Sequence, residues 1–565
     1  MIGGAVIFDP WGFTGYLALK VATAGAGLLL VLWWLTRRSA VVVPGGGWLA
    51  VGAGLGALMV AATMASDSVW RSALGAPLRL EGMLAWLGFG LAFVVGLSLR
   101  RLHPDAVAES LVSIAVVAVT VVGMVGVMEL AGAHPDPALI QFRGRLRSTF
   151  GNPAVLSGFM VLVGPVAVVA ATRDGRWRWA GWLAGLLALI NLAGAQTRSV
   201  LAAAAVVGTV VAVLRAHRLR WLILAAMAVA AAGASFTDRW RDVGADLEGR
   251  IAIWEVALRA IAEDPLLGNG PESFIVSYGQ HVSDETVRQF GRAAAVDRAH
   301  SGVLDFAVSF GAIAGLLYIA VLVLVGLLAA RTIRGGGWFD VAVASGIAAY
   351  LLQQQTFFAH PTSDMVLWLM VGILVSDSEA AVRRPPRVVS ILMVSAAAVL
   401  VVNSASLVRN DRLYHRALAS TTPIEAFAHL DEAASHRPFD DVSYALIGEV
   451  VSRAPDALVV QHGIERIEEG TRFNAGNELV ILALLDAQLQ AFRLTDLDAF
   501  ASDARAGAAD LIGAQPANGD AYLKRGTASF YLGDLHAARS DWERAAFLMP
   551  DRPEPVENLM VIDGP

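Results

Sequence analysis

Twelve apolar stretches of membrane-spanning length recur between residues 14 and 406, and nothing else in this sequence limits its fold so tightly. They lie at 14–36, 47–65, 81–99, 108–131, 153–171, 179–196, 199–214, 220–236, 302–330, 338–358, 362–377 and 389–407. A helix crossing ~30 Å of hydrocarbon needs about 20 apolar residues. Backbone amides in that medium must be satisfied within the helix itself, so the expected fold is all-α with about twelve transmembrane helices. Composition agrees, with 56% of the 565 residues hydrophobic and only 16% charged. That balance excludes an ordinary soluble enzyme, whose charged share is roughly 25%. The first stretch starts too late and runs too long for a signal-peptide core, and no small-residue cleavage site follows it. The sixth and seventh have almost no linker, which puts their shared turn at or within the membrane surface.

Orientation follows from the short loops, because cytoplasmic loops collect basic residues. Loops after odd-numbered stretches carry fifteen arginines, from Arg37 and Arg38 to Arg383, Arg384 and Arg387, against six after even-numbered ones. The odd loops are therefore expected in the cytoplasm, with both termini and the even loops outside. Two outward regions remain: a large loop at 237–300, and a soluble helical tail at 408–565 behind a transmembrane domain at 1–407. Within the tail, a 34-residue unit from Gly519 has Tyr522, Gly526, Gly533, Ala538, Trp542, Ala545 and Pro550 at tetratricopeptide positions. Pro516 closes a weaker preceding unit, and Ala426 to Pro438 reads as a degenerate one; the alternative is an irregular helical cap. Helical pairs of this kind stack and present a concave binding surface.

The chain has no cysteine, which removes disulfides, thiolate zinc sites, iron–sulfur clusters and cysteine nucleophiles. It has no Gly-x-x-x-x-Gly-Lys-Ser/Thr loop for ATP. All basic residues except Lys20 and Lys524 are arginine. Charges at membrane depth are costly and usually functional, and the outward loops hold several arginines that no orientation rule requires. Arg71 and Arg79 flank the Gly75–Pro77 turn, as lipid-headgroup anchors or as substrate contacts. Arg143, Arg145 and Arg147 alternate before Asn152-Pro153, where a helix start beside arginines suits either a phosphate or surface anchoring. Arg198, between two apolar helices with nothing acidic nearby in sequence, reads as an anion site or as an arginine held by helix-end carbonyls. In the large loop Arg250 and Trp254 share one face of an amphipathic helix. That helix stops at a shaped turn, Asp264 to Phe274, and the loop closes on Asp297-Arg298-Ala299-His300. His300 is a candidate general base or an interfacial residue. His360 has no charged neighbour in sequence and reads as structural. Asp496 and Asp498 read as a solvated helix start rather than a metal pair, and no His pair at zinc spacing occurs.

These pieces, in this order and on one topological side, resemble the O-antigen ligase and polymerase superfamily of bacterial membrane glycosyltransferases over roughly residues 10–380. They are Leu74–Gly82, Phe150–Pro153, Thr197-Arg198-Ser199, Arg250 with Trp254, Pro265–Phe274 and Asp297–His300. The chain departs from the family's pattern at Ser301, usually asparagine, and at Thr-Arg-Ser, often Ser-Arg-Gly. The resemblance implies an enzyme of the bacterial cytoplasmic membrane acting on its outer side. It would transfer a glycan from undecaprenyl diphosphate to an acceptor hydroxyl, with inversion and without metal or cofactor. It also implies Arg198 and Arg250 on the diphosphate, Arg147 as a third contact, and His300 as the acceptor's base. Arg79, Asn152, Trp254 and Arg298 are the further candidate substrate-binding residues. The acceptor is left open between a lipid A core, a lipid-linked repeat and a protein hydroxyl. A protein partner for the tail is expected and a nucleic-acid partner is not. A lipid-glycan transporter and a scaffold acting through the tail are the competing classes. Deleting 412–565 is expected to change acceptor use while donor cleavage survives, unless the tail is needed for folding.

Overall fold

The structure, a computed structural model, describes residues 2–9, 12–38, 41–133, 144–215, 243–291, 296–376 and 385–563. The expected eighth stretch at 220–236 lies outside these residues, as do the loop's start at 237–242, Arg143, Arg218, Arg220, Arg383 and Arg384. The described chain is all-helical.

Its membrane part comprises α1 (Ala18–Arg37), α2 (Gly47–Ala65), the short α3 (Val69–Leu74), α4 (Met83–Leu102), α5 (Pro104–Leu130), α6 (Pro153–Val168), α7 (Arg176–Ala195) and α8 (Arg198–Leu214). The large loop supplies α9 (Val243–Glu263), α10 (Phe274–His281) and α11 (Asp284–Phe290), and α12 (Gly302–Gly335), α13 (Trp338–Gln354), α14 (Pro361–Val375) and α15 (Arg387–Ala419) follow. Seven of the described helices are long and apolar enough to cross a membrane: α1, α2, α4, α5, α6 with its short extension to Thr172, α12 and α15. The chain is a multi-pass membrane protein. α8 and α14 are apolar but shorter. α7 opens on Arg176 and Arg178, while α13 carries Asp340, Gln353 and Gln354 among apolar residues.

Proline sets several helix starts, because it lacks the N–H that a first turn cannot use and fixes φ near the helical value. Pro104, Pro153 and Pro361 each stand at the first turn. α4 and α14 approach almost to backbone contact, since a Cβ on Gly96 would lie 2.0 Å from the Leu369 carbonyl oxygen and one on Gly372 would lie 2.1 Å from that of Phe93. Small residues permit such approach where the surrounding lipid supplies no drive to bury apolar surface.

α12 is not one continuous span. Gly311 has φ 86° and ψ 166°, which breaks the helix and frees the carbonyls before it. The Pro265–Gly270 turn fills the break: Asn269 N–H donates to Val308 O at 2.9 Å, Gly270 N–H to Ser309 O at 3.0 Å, and Ala312 N–H to Pro265 O at 2.8 Å. The glycine- and proline-rich turn of the large loop is thus wedged into a membrane helix.

The tail is built from α16 (Pro423–His436), α17 (Asp441–Val451), α18 (Ala457–Thr471), α19 (Glu478–Thr495), α20 (Asp498–Ala514), α21 (Gly519–Tyr531), α22 (Leu535–Leu548) and α23 (Glu554–Asp563). Asp440, Asp456, Asn477, Asn518 and Asp534 cap their helices by accepting a first-turn amide. α15 runs unbroken across residue 407, so membrane part and tail share one helix. Its tail half is gripped by the N-terminal segment: Asp411 accepts from the Thr14 N–H at 2.8 Å and the Gly15 N–H at 3.1 Å, and Arg412 pairs with Asp9 at 2.7 Å.

Candidate functional site

The expected outward loops converge on one end of the bundle and lock together. Arg79 makes a two-point ion pair with Asp297, Nε–Oδ2 2.6 Å and Nη2–Oδ1 3.0 Å. Its guanidinium also lies 4.2 Å over the Phe358 ring, just past the end of α13. His300 packs beside Phe358 and Phe357, at 5.5 and 6.4 Å between ring centroids. Arg250 reaches the same segment by donating from Nη1 to the Thr356 carbonyl. The second loop, the large loop and the 355–360 segment therefore meet around His300.

Arg298, two residues before His300, is buried between two carboxylates, 2.8 Å from Glu272 and 3.0 Å from Glu81. Glu272 also accepts from the Glu81 backbone N–H at 2.7 Å. Burial works against charge on Arg298, but Glu272 and then Glu81 outweigh it and hold the guanidinium firmly protonated. Burial likewise works against charge on Asp297, but Arg79 prevails and carries it down to about 2. His300 shifts the other way. Burial first, and Arg250 second, lower its pKa to about 4, so the free site holds a neutral imidazole at neutral pH.

The second arginine group gathers at the α7–α8 turn. Leu146 N–H donates to Gly194 O at 3.0 Å, while Arg145 donates to Ala195 O at 2.9 Å and to Thr197 Oγ1 at 3.2 Å. Arg198 follows as the first residue of α8, half-buried. Arg147 is buried and paired with Glu129 at 3.0 Å, a partner on α5, leaving its Nη1 without a hydrogen bond among the described residues. Asn152 caps α6, its Oδ1 accepting from the Ala154 and Val155 amides at 2.8 and 3.4 Å. Those amides are therefore already occupied, and that helix start is not an open phosphate cradle. Trp254 stands one turn along α9 from Arg250; its Nε1 is buried and makes no hydrogen bond among the described residues.

His360 links the two groups. Its ring packs on Phe150 at 5.9 Å, and its pKa is lowered to about 3, first by burial and then by Lys20 and Arg79. Charged neighbours invisible in the local sequence thus surround it. Arg71 also departs from both of its sequence readings. It is neither a lipid anchor nor a substrate contact, being buried against Asp441 of the tail at 2.5 Å.

Backbone conformation marks the same place. Six non-glycine residues among those described have positive φ, and five sit in these loops: Leu80, Ser148, Gln196, Glu272 and His300. Left-handed backbone is costly for such residues and persists where surrounding structure enforces it, commonly at functional sites. Sequence reasoning missed the Thr356-Phe357-Phe358 wall and the role of Glu81 and Glu272. The run of three glutamines, Gln353 to Gln355, ending an otherwise apolar helix was the available signal for the former.

Beneath the charged cluster lies a small polar cavity of about 30 Å³, with Glu81, Glu272, Arg298, Asp305 and Gln354 in its wall. Trp86, Phe306 and Tyr318 separate it from an apolar groove of about 680 Å³ between α2, α4, α12 and α15, and line both. The apolar groove suits a lipid tail.

No curated protein matches the chain. Residues 183–319 match a family model described as O-antigen ligase, a segment that holds Arg198, Arg250, Trp254, Glu272, Arg298 and His300 and excludes Arg79, Arg147 and the tail. Over that segment, about a quarter of its length, the chain is similar to the O-antigen ligase family.

Proposed function

We propose that this protein transfers a glycan from undecaprenyl diphosphate to an acceptor hydroxyl at the outer face of the bacterial cytoplasmic membrane. The observation that carries the reading is the meeting of Arg250 and Arg79 with a neutral, half-buried His300, on the same loop as Arg298, whose cavity shares Trp86, Phe306 and Tyr318 with an apolar groove. The groove is the place for the isoprenoid chain, and the arginines for the diphosphate. Arg250 and Arg198 hold the leaving diphosphate, with Arg147 Nη1 as a third donor; guanidinium groups carry such charge in a bidentate way. The Nε1–H of Trp254 is available to a sugar or phosphate oxygen. Arg79, Arg298 and Asn152 act one step back, through Asp297, Glu272 with Glu81, and the α6 cap.

In the reaction, the acceptor oxygen attacks the anomeric carbon as the bond from that carbon to the phosphate oxygen breaks. The acceptor's proton passes to His300, and undecaprenyl diphosphate leaves with the bonding pair. In-line attack inverts the anomeric carbon. Arg250 depresses His300, so an anionic head neutralising Arg250 would strengthen the base as the donor binds. Donor cleavage drives the reaction.

The wider architecture supports the same topology. Contacts of the second loop with the large and tenth loops, and of the fourth with the sixth and tenth, are in keeping with twelve spans that include α7, α8, α13 and α14. The tail's capped helical pairs, with Trp542 packed against Gly526, fit a tetratricopeptide-like unit that offers a surface to an acceptor or protein partner.

Purified protein in lipid, given an undecaprenyl-diphosphate oligosaccharide and candidate acceptors, tests the reading. Transfer that survives chelator and is lost in His300→Ala and Arg250→Ala supports it. A ladder of products identifies a polymerase, and a single shift a ligase or protein glycosyltransferase. Absence of diphosphate release from folded protein with every native donor and acceptor would overturn it.

A further inference from the structure

A continuous set of buried polar contacts runs from the tail into the loop that carries His300. Asp441, the first residue of α17, accepts from Asn477 Nδ2 at 2.9 Å and pairs with Arg71 Nη1 at 2.5 Å. The Nε of the same arginine donates to the Glu272 carbonyl at 3.0 Å. Glu272 is held at φ 63°, and its carboxylate takes both the Glu81 N–H and Arg298. Arg298 is two residues from His300, itself at φ 51°. The second loop is fastened at the same point, since Ser72 Oγ donates to Pro271 O at 2.8 Å and Ser68 Oγ to Phe473 O of the tail at 2.6 Å.

We propose that Arg71 and Asp441 are positioning residues for the transfer reaction: the tail uses them to clamp the Glu272 backbone and thereby hold Arg298 and His300 in place. The inference rests on the reading of His300 given above. Arg71 is suited to the task because one planar guanidinium serves two partners in different directions, the tail carboxylate and the loop carbonyl. Neither partner touches the reacting atoms. Tail and loop also meet elsewhere, through the ion pair of Arg544 with Asp284 at 2.7 Å, but that contact lies on α11 and α22. Simple docking and positioning can therefore be separated.

The test uses the full chain in lipid and compares Arg71→Lys, Asp441→Asn, Arg544→Ala and His300→Ala. Turnover at saturating substrates, donor half-saturation and thermal midpoint are measured for each. Arg71→Lys keeps a cation for Asp441 but cannot reach both partners. Its turnover should fall about 10- to 100-fold, the scale of an ångström-level misplacement, with donor half-saturation within about twofold of wild type. Asp441→Asn should behave alike, and combining the two should cost no more than either alone. Arg544→Ala should retain wild-type turnover. Normal turnover in Arg71→Lys, or an equal deficit in Arg544→Ala, overturns the clamp. If Asp441→Asn does not fold, Arg71→Lys decides alone. Should His300→Ala keep full turnover, the site reading fails and takes the clamp with it. A dead His300→Ala beside a normal Arg71→Lys refutes the clamp only.

Discussion

His300 combines a left-handed backbone with a pKa of about 4, and both come from its neighbours rather than from its own chemistry. As the acceptor's base it must be neutral, so free-enzyme kcat/KM should stay level from neutrality down to about pH 5 and fall as pH passes through about 4. Burial is the larger cause of the low value and Arg250 the next, so removing that cation should move the acid limb to higher pH. NMR titration of the His300 imidazole in wild type and Arg250→Ala checks the sign. General-base removal in His300→Ala should cost about 10²- to 10⁴-fold in turnover. A rise in donor half-saturation with turnover unchanged would place His300 on the donor instead. Arg298 answers a different question. Replacing it with methionine leaves Glu81 and Glu272 buried without their cation, a loss on the order of 3–5 kcal/mol. A clear drop in unfolding midpoint is expected, whereas a purely substrate-contacting arginine would leave it unchanged.

Among the elements, the broken α12 has the largest consequence for the site. A Cβ at Gly311 would sit 2.3 Å from the Leu266 carbonyl oxygen, and φ 86° is unfavourable for any L side chain. Gly311→Ala should therefore expel the Pro265–Gly270 turn or straighten the helix, costing about 1–3 kcal/mol of backbone strain. Because Glu272 follows that turn directly, transfer should fall more than in Gly326→Ala, where an added Cβ meets nothing. Activity and unfolding midpoints of the two alanine variants distinguish the outcomes. The helix start at Pro153 was legible in the sequence because proline acts locally. The break at Gly311 was not. A glycine inside an apolar run looks like any other until the inserted turn supplies the hydrogen bonds that make the break tolerable.

On the scale of the molecule, tail and large loop are one packed unit. Val256, Phe274 and Tyr278 of the loop share a buried apolar core with Ala517, Ala545, Leu548 and Met549 of the tail. That shared core ties the tail to the folding of the loop, the condition under which donor cleavage is not expected to survive its deletion. Truncation after residue 419 should uncover it and strand Arg71 without Asp441. Donor cleavage is then expected to fail along with transfer, accompanied by rapid proteolysis within 243–291. Diphosphate release measured beside limited proteolysis checks both, and intact release from the truncated protein would show the tail to be separable.

The sequence by itself determined that the chain is a helical membrane protein, because apolar length and proline placement are properties of neighbouring residues. It also singled out Arg79, Arg250, Arg298 and His300, since charges in loops between apolar helices stand out one at a time. Only the tertiary structure decided what those charges touch. Arg298 is paired to Glu272 and Glu81, Arg79 to Asp297, Arg147 to Glu129, and Arg71 to Asp441, 370 residues away. Partners so distant leave no local pattern, because an ion pair depends on position in space and not on spacing along the chain.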